Sequence, residues 1–94
     1  MRARYSAYAV GDLDYVWRTW HPRTRPPELH PVDGLQWLGL SVLDTADGKP
    51  SDEQGEVEFV ARHRIDGQDG ALHERSRFVV RARRWCYLDG DELA

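Results

Sequence analysis

The sequence predicts a single α+β domain, residues 1–94, in which N-terminal helices cover an antiparallel sheet. The first observation is the apolar period, which is helical before residue 22 and alternating after residue 34. The second is a glycine-rich turn signal, Asp66–Gly70, between two strand-like runs, which is typical of a hairpin. The third is the length of 94 residues, which suits one modest core.

Two helices are predicted before residue 22. The run over residues 2–10 contains no helix breaker, and Gly11 then ends it, as glycine commonly does. Asp12 is a capping residue type, and four apolar side chains follow it at the spacing of one helical face. These are Leu13, Val16, Trp17 and Trp20. We expect His21-Pro22 to end this helix and the prolines within residues 23–34 to hold an extended connector.

Four strands are predicted after the connector. Their expected ranges are Leu35–Asp44, Glu56–Ile65, Ala71–Arg81 and Arg84–Asp89. A long acidic loop, marked by Asp47-Gly48 and Pro50, connects the first two strands. Helices followed by a meander of strands define the α+β class.

Alternation along the second and third strands separates two faces. On the face expected to meet the helices, the polar residues His63, Glu74 and Ser76 interrupt an apolar set. We predict that position 63 pairs with positions 72 to 74, which would bring His63 and Glu74 together. The functional interpretation is the polar wall of a pocket, and the structural alternative is mutual hydrogen bonding or bonding to tyrosine hydroxyls. The candidate pocket residues are His63, Glu74, Ser76, Tyr5, Tyr8, Trp17, Trp20, Phe59 and Phe78.

The opposite face of the same two strands is rich in arginine. Its five arginines and His73 are opposed, by parity, by Glu58 alone. Such a face could bind phosphates or an acidic protein surface, because a guanidinium group pairs with oxyanions through two hydrogen bonds. The alternatives are a solvent face paired with the acidic loop and a surface for a homodimer. The candidate anion-binding residues are Arg62, Arg64, Arg75, Arg77 and Arg81.

Composition and motifs disfavour several classes of function. A formal net charge of −3 and the lack of aromatic residues among these arginines argue against a nucleic-acid partner. A single cysteine, Cys86, cannot form an intramolecular disulfide or a multi-cysteine zinc site, and the four histidines lack metal-ligand spacing. The sequence shows neither a glycine-rich phosphate loop nor a membrane-length apolar run nor a signal peptide. We therefore expect a cytoplasmic protein with no cofactor, no metal and no membrane partner.

Several segments together resemble one family of bacterial proteins. The segments are Arg4-Tyr5-Ser6-Ala7-Tyr8, Gly11-Asp12, Thr19-Trp20-His21-Pro22, Gly55–Arg62, Leu72–Phe78 and Trp85–Gly90. In order and spacing they are similar to the YchJ family, whose members have no defined activity. The resemblance implies a fold like nuclear transport factor 2, in which helices pack into a strongly curved antiparallel sheet and form a cone around a pocket.

The resemblance also concerns what these residues do not contain. Members of the family commonly carry a cysteine-rich, zinc-binding SEC-C motif before this domain, so no zinc site is carried over to these residues. Met1 aligns inside the family's usual sequence, which we interpret as a short natural form or a truncated reading frame.

Three functions stay open at this point. The first is a module that binds a small molecule or a partner in a cone-shaped pocket. The second is a pocket enzyme, similar to isomerases or dehydratases, that uses His63 and Glu74 for acid–base chemistry. The third is a dimerising or anion-binding module that uses the arginine-rich face.

Overall fold

The computed structural model describes residues 1–93 as two short helices and one antiparallel sheet. Helix α1 spans Arg2–Val10 and helix α2 spans Leu13–Arg18. The four strands are β1 (Leu35–Asp47), β2 (Gln54–Ile65), β3 (Gln68–Arg81) and β4 (Arg84–Glu92). They pair in sequence order, so the sheet is a simple meander. The α+β class predicted from the sequence is confirmed.

Local signals set the junction between the two helices. Gly11 ends α1 in the left-handed conformation, with φ of 78°, which glycine adopts without steric cost. Asp12 begins α2, and its side chain accepts a hydrogen bond from the backbone nitrogen of Tyr15 at 3.1 Å. Both capping predictions are confirmed by these contacts.

Helix α2 is shorter than predicted. It ends at Arg18, so Trp20 does not belong to the helix and instead forms an isolated parallel bridge with Tyr87 of β4. The backbone nitrogen of Tyr87 donates to the carbonyl of Thr19 at 2.8 Å. The backbone carbonyl of Tyr87 accepts from the backbone nitrogen of His21, also at 2.8 Å. These bonds to the edge of the sheet replace the next helical turn and fix Trp20 beside Tyr87.

The strands are longer than predicted, and the loops are correspondingly shorter. Strand β1 continues to Asp47 and β2 begins at Gln54, so the acidic connection between them covers only residues 48–53. Strand β3 begins at Gln68, because Asp66 and Gly67 have φ of 49° and 83° and form a two-residue turn. The predicted turn over residues 66–70 was therefore too long. Strand β4 continues past Asp89 to Glu92.

Two bulges interrupt the alternation in β1. The register with β2 shifts between Trp37 and Gly39 and again between Val42 and Asp44. Each bulge adds one unpaired residue, and these residues, Leu38 and Leu43, are exposed. The bulges explain why the apolar run of β1 lacks a strict period of two.

The register between β2 and β3 defines two faces of the sheet. The helix-side face contains Phe59 and Ala61, which are both buried, together with Glu74 and Ser76. The charged face contains the residues between them in sequence, which are Glu56, Glu58, Arg75, Arg77 and their neighbours of the same parity. Ala7 of α1 and Val16 of α2 complete the buried core on the helix side. Within residues 1–93, neither helix is long and apolar enough to cross a membrane.

Candidate functional site

A cavity of about 840 Å³ lies between α1, the connector and the helix-side face of the sheet. Aromatic and aliphatic side chains form most of its wall, among them Tyr5, Trp37 and Phe59. Polar side chains also line it, and four of them, Arg4, Glu74, Ser76 and Tyr87, form one cluster. The cavity therefore combines an apolar wall with a small polar cluster.

Arg4 is the most unusual member of this cluster, because it is a cation that is only 7% exposed. One of its terminal nitrogens, Nη1, donates to the carbonyl of Val16 at 3.2 Å, which ties α1 to α2. Its guanidinium carbon lies 5.5, 4.9 and 4.3 Å from the ring centroids of Tyr8, Trp20 and Tyr87. These distances are within the range of cation–π attraction. The three rings thus form an aromatic cage that holds the guanidinium group at the cavity.

Glu74 is the acidic member of the cluster. Its Oε2 atom accepts a hydrogen bond from the Ser76 hydroxyl at 2.5 Å and one from the Tyr87 hydroxyl at 3.4 Å. The carboxylate can lie there because Gly90 of β4 has no side chain: a Cβ on Gly90 would lie 2.5 Å from Oε2. Ser76 is 1% exposed, so its hydroxyl group satisfies a buried hydrogen-bonding requirement with Glu74.

Burial and mutual contact shift the proton affinities of this cluster. Burial lowers the pKa of the Arg4 guanidinium, and the nearby Tyr8, Tyr87 and Glu74 oppose that shift. Burial also raises the pKa of the Tyr87 hydroxyl to about 12, and the negative charge of Glu74 adds to this effect. Arginine remains protonated at neutral pH in proteins, so the cavity contains one buried cation, one carboxylate and a neutral phenol.

The structure places six of the nine predicted pocket residues at the cavity. These are Tyr5, Tyr8, Trp20, Phe59, Glu74 and Ser76. Two of the others pack elsewhere. Trp17 donates from Nε1 to the carbonyl of Pro26 at 2.9 Å and stacks under Arg25, whereas Phe78 packs edge-to-face against Tyr87. Helical periodicity had grouped Trp17 with Trp20, but the early end of α2 separates them.

The predicted pairing of His63 with Glu74 is wrong. In the β2–β3 register, His63 pairs with Gly70 and Glu74 pairs with Phe59, so the two side chains lie four positions apart along the strand. The His63 ring instead packs edge-to-face against Trp37 and above Gly70. The error follows from the turn length, because a turn shorter than expected moves every cross-strand partner. An acid–base pair of His63 and Glu74 is therefore not formed.

On the charged face, the predicted opposition by Glu58 alone is also wrong. Arg75 donates from Nε to Glu56 and from Nη1 to Asp44, both at 2.9 Å, and a second acceptor of Nη1 is Glu58. The hydrogen bond to Asp44 contributes most to raising the Arg75 pKa. Asp44 and Glu56 lie at the predicted strand ends that border the acidic loop, and the pairing of β1 with β2 and β3 brings their side chains to this face together with Glu58.

Arg77 on β3 has two acidic partners on β4. Its Nε atom donates to Asp89 at 2.5 Å and its Nη1 atom to Asp91 at 2.8 Å. These hydrogen bonds, with the one to Asp91 first, raise the pKa of Arg77, and Arg77 in turn lowers the pKa of Asp91. The guanidinium group therefore carries little unpaired charge toward solvent.

The remaining arginines of the predicted anion-binding set differ in their surroundings. Arg64 donates to Asp69 at 2.6 Å, and Arg62 donates to the hydroxyl of Ser41 at 3.0 Å. Arg81 is exposed at the end of β3, next to the turn at residues 82 and 83. The structure thus places the five arginines near one face but engages four of them with neighbouring side chains.

Sequence reasoning missed the most informative residues of the cavity. In the sequence, Arg4 belongs only to a segment of the family resemblance, and Trp37 and Tyr87 lie within predicted strands without a predicted role. The spacing of Arg4 and Tyr8, one helical turn apart, was the available signal for the first contact. The contacts of Arg4 with Trp20 and Tyr87 depend on tertiary structure and had no signal in the sequence. Among residues 1–93, no three His, Cys, Asp or Glu side chains come together in a way that would hold a metal ion.

Comparison with known proteins places the whole of this architecture in one family. The family described as "YchJ, middle NTF2-like domain" matches residues 1–90. A UPF0225 protein of Cupriavidus pinatubonensis is 48% identical over 99 residues, which cover 99% of this chain and 68% of the relative. A UPF0225 protein of Streptomyces coelicolor is 50% identical over 93 residues, which cover 99% of this chain and 72% of the relative.

A solved structure gives the same result for the fold. The solution structure of a SEC-C motif containing protein from Rhodopseudomonas palustris is 35% identical, with a TM-score of 0.84. The match covers 100% of this chain and 76% of that protein. The segments that resembled the YchJ family in the sequence therefore lie in an α+β domain like that of nuclear transport factor 2, and the chain belongs to the YchJ family.

Proposed function

We propose that this domain binds a small molecule in the cavity between α1 and the sheet. The observation that carries the proposal is the cavity itself, with a volume of about 840 Å³ and a cluster of polar groups in an apolar wall. Small-molecule sites in proteins typically have volumes of about 300–1,000 Å³, mostly apolar walls and a few polar groups that orient the ligand. The cone that the family resemblance implied is the shape that would enclose such a ligand.

Two other functions have weaker support from the geometry. The pocket enzyme required His63 and Glu74 to work together, and the β2–β3 register separates them. The anion-binding or dimerising face required available guanidinium groups, and Arg75 and Arg77 are held by five carboxylates of the same face. Binding in the cavity needs no residue to leave its observed partners.

A fragment screen followed by ¹H–¹⁵N NMR tests this proposal. The library contains neutral, cationic and anionic aromatic and aliphatic fragments, tested on the 94-residue chain. We expect bound fragments to shift the backbone signals of residues that line the cavity, such as Tyr8, Trp37 and Leu72. Signals from the charged face, such as those of Arg75, are expected to stay in place.

Two matched variants separate cavity binding from adsorption to exposed apolar residues. Val32 lines the cavity and is 59% exposed, so Val32→Trp narrows the opening without disturbing the core. Leu43 is 54% exposed at a bulge of β1 and is not part of the cavity wall, so Leu43→Trp is the control. We expect Val32→Trp to weaken fragment binding and Leu43→Trp to leave it unchanged. Equal effects of the two variants, or shifts that map to the charged face, would overturn the proposal.

A further inference from the structure

We infer that the cavity takes a ligand with a carboxylate group on an apolar body, and that Arg4 and the indole nitrogen of Trp20 hold this carboxylate. The inference rests on the proposed function and specifies the class of its ligand. Three observations carry it, which are the occupant of the aromatic cage, the lack of a direct counter-ion for that occupant, and a buried donor beside it.

The aromatic cage already contains a cation. Rings of the type found at Tyr8, Trp20 and Tyr87 are the usual receptors for ammonium and guanidinium ligands. Here the guanidinium group of Arg4 occupies the cage, with its carbon 4.3 to 5.5 Å from the three ring centroids. A cationic ligand would meet a filled subsite and a like charge, so the cage selects against cations.

Arg4 has no direct counter-ion in the part of the chain that the structure describes. No carboxylate of residues 1–93 forms a salt bridge with its guanidinium group, although the charge of Glu74 acts on it from a greater distance. Its described hydrogen bond goes to the neutral carbonyl of Val16. A guanidinium group has five N–H donors, and the described hydrogen bond to Val16 uses only one of its nitrogens. Carboxylates suit this position because both of their oxygens can accept from the planar donor group.

Trp20 supplies a second donor at the same place. Its Nε1 atom is fully buried and has no hydrogen-bond acceptor among residues 1–93, although Trp20 lines the cavity and its ring lies 4.9 Å from the Arg4 guanidinium carbon. Buried indole nitrogens normally find an acceptor. A carboxylate that pairs with Arg4 would lie beside this donor as well, and would give the buried indole nitrogen the acceptor that it lacks.

Glu74 limits where the carboxylate can lie. It is the acidic group of the cavity wall, and its Oε2 atom already accepts from Ser76 and Tyr87. A second carboxylate beside it would be repelled. The ligand's carboxylate therefore lies on the Arg4 and Trp20 side, and its apolar body extends along the wall formed by Tyr5, Trp37 and Phe59.

A set of matched ligands tests this inference. Hexanoate, benzoate and phenylacetate are titrated into the chain and compared with their primary amides, which have nearly the same shape without the charge. Binding is followed by ¹H–¹⁵N NMR, with the signals of Arg4 and the Trp20 indole as reporters. We expect at least one acid to bind about tenfold more tightly than its amide, because charged acceptors form stronger hydrogen bonds with these donors.

Two tryptophan variants test the role of the indole donor without removing the buried arginine. Trp20→Phe keeps a ring in the cage but removes the donor, and we expect it to weaken binding of the acid about tenfold. Trp17→Phe removes an indole donor whose acceptor is Pro26, away from the cavity wall, and is expected to change affinity by less than about twofold. Arg4→Lys keeps the charge but loses the planar donor group, so it should also lower the affinity for the acid. Unchanged dispersion of the NMR spectrum confirms that each variant is folded.

The outcomes for the two proposals differ. If amides bind as tightly as the acids, or if Trp20→Phe and Trp17→Phe behave alike, the inference is overturned while cavity binding stands. If neutral or cationic fragments bind in the cavity and none of the three acids does, the inference is likewise overturned. If no fragment of any charge binds in the cavity, both the inference and the proposed function fail.

Discussion

The charged face and the cavity both contain arginine, but they surround it with different partners. On the charged face, Arg75 and Arg77 each donate to carboxylates of neighbouring strands while remaining partly exposed. In the cavity, Arg4 is buried among three aromatic rings and donates to a neutral carbonyl. The difference teaches that the density of arginine in a sequence does not locate a binding site. What distinguishes the two regions is whether neighbouring strands place a carboxylate in direct contact with the guanidinium group.

The largest expected difference between the two regions is in stability. Arg4→Ala removes the bond to Val16 and the attraction to three rings, and leaves a void in the cage, so we expect a loss of about 2–4 kcal/mol in the free energy of unfolding. Arg77→Ala removes ion pairs that are partly exposed, and such pairs contribute little to stability. Urea denaturation of both variants and the unmodified chain measures the two losses.

Salt separates the two effects further. Ions screen exposed charge pairs strongly at about 1 M salt, where the Debye length is about 3 Å, and buried groups far less. The loss caused by Arg77→Ala should therefore shrink in high salt, and the loss caused by Arg4→Ala should persist. If both losses shrink together, or if Arg77→Ala costs as much as Arg4→Ala, the two regions do not differ as described.

The next effect concerns the other charged group of the cavity, Glu74. In Gly90→Ala, the new Cβ would lie 2.5 Å from the Glu74 Oε2 atom, so the carboxylate must leave its hydrogen bonds with Ser76 and Tyr87. Leaving the buried Ser76 hydroxyl without a partner should cost about 1–3 kcal/mol.

Gly70 provides a matched control on the same sheet. In Gly70→Ala, the new Cβ would lie 2.9 Å from the His63 Nε2 atom, so the ring must shift. The Nδ1 atom of His63 has no described hydrogen bond to lose, and alanine is favoured over glycine in a strand. Thermal denaturation should therefore show a larger loss for Gly90→Ala than for Gly70→Ala. The reverse order would show that the bonds of Glu74 do not stabilise the fold.

The sequence predicted those features that depend on neighbouring residues. The Gly11 and Asp12 caps, the number of strands and the α+β class follow from turn residues and apolar periods within short windows, and all are present in the structure. Strand ends were less well predicted, because cross-strand pairing extends β1 to Asp47 and β2 back to Gln54. Propensity alone does not include the stability that a pairing partner adds.

The candidate site depended on features that short windows do not contain. The pairing of His63 with Glu74 failed because the register is set by the length of the turn, and the turn has two residues where five were expected. Arg4 was missed because its burial requires Trp20 and Tyr87, which lie 16 and 83 residues away in the sequence. Both errors concern contacts that the fold creates between distant segments.

The folded state should also lose stability at alkaline pH, because of a group in the cavity wall. Burial raises the pKa of Tyr87 from 10.0 to about 12, so the folded state holds the phenol proton more tightly than the unfolded chain does. This contribution to stability is fully present below pH 10 and is lost as the pH rises toward 12. The loss is measured as the decrease in the urea midpoint over this interval, and the titration by the absorbance of tyrosinate. In Tyr87→Phe this part of the decrease should disappear, and an unchanged decrease would contradict the assignment to Tyr87.

The smallest expected effect concerns the charged face, where an ion pair should lose its contribution to stability at acid pH. Arg77 holds the pKa of Asp91 below its usual value of 3.8, so the folded state favours the carboxylate. The stabilisation is present above pH 3.8 and is lost as the pH falls through the lowered pKa. Asp91→Asn should therefore flatten the acid limb of the stability curve and change stability at neutral pH only slightly, because the pair is exposed. Glu92→Gln, at the next position and with no described ion pair within residues 1–93, should leave the acid limb unchanged. If the two variants give the same acid limb, the pairing of Arg77 with Asp91 does not stabilise the folded state.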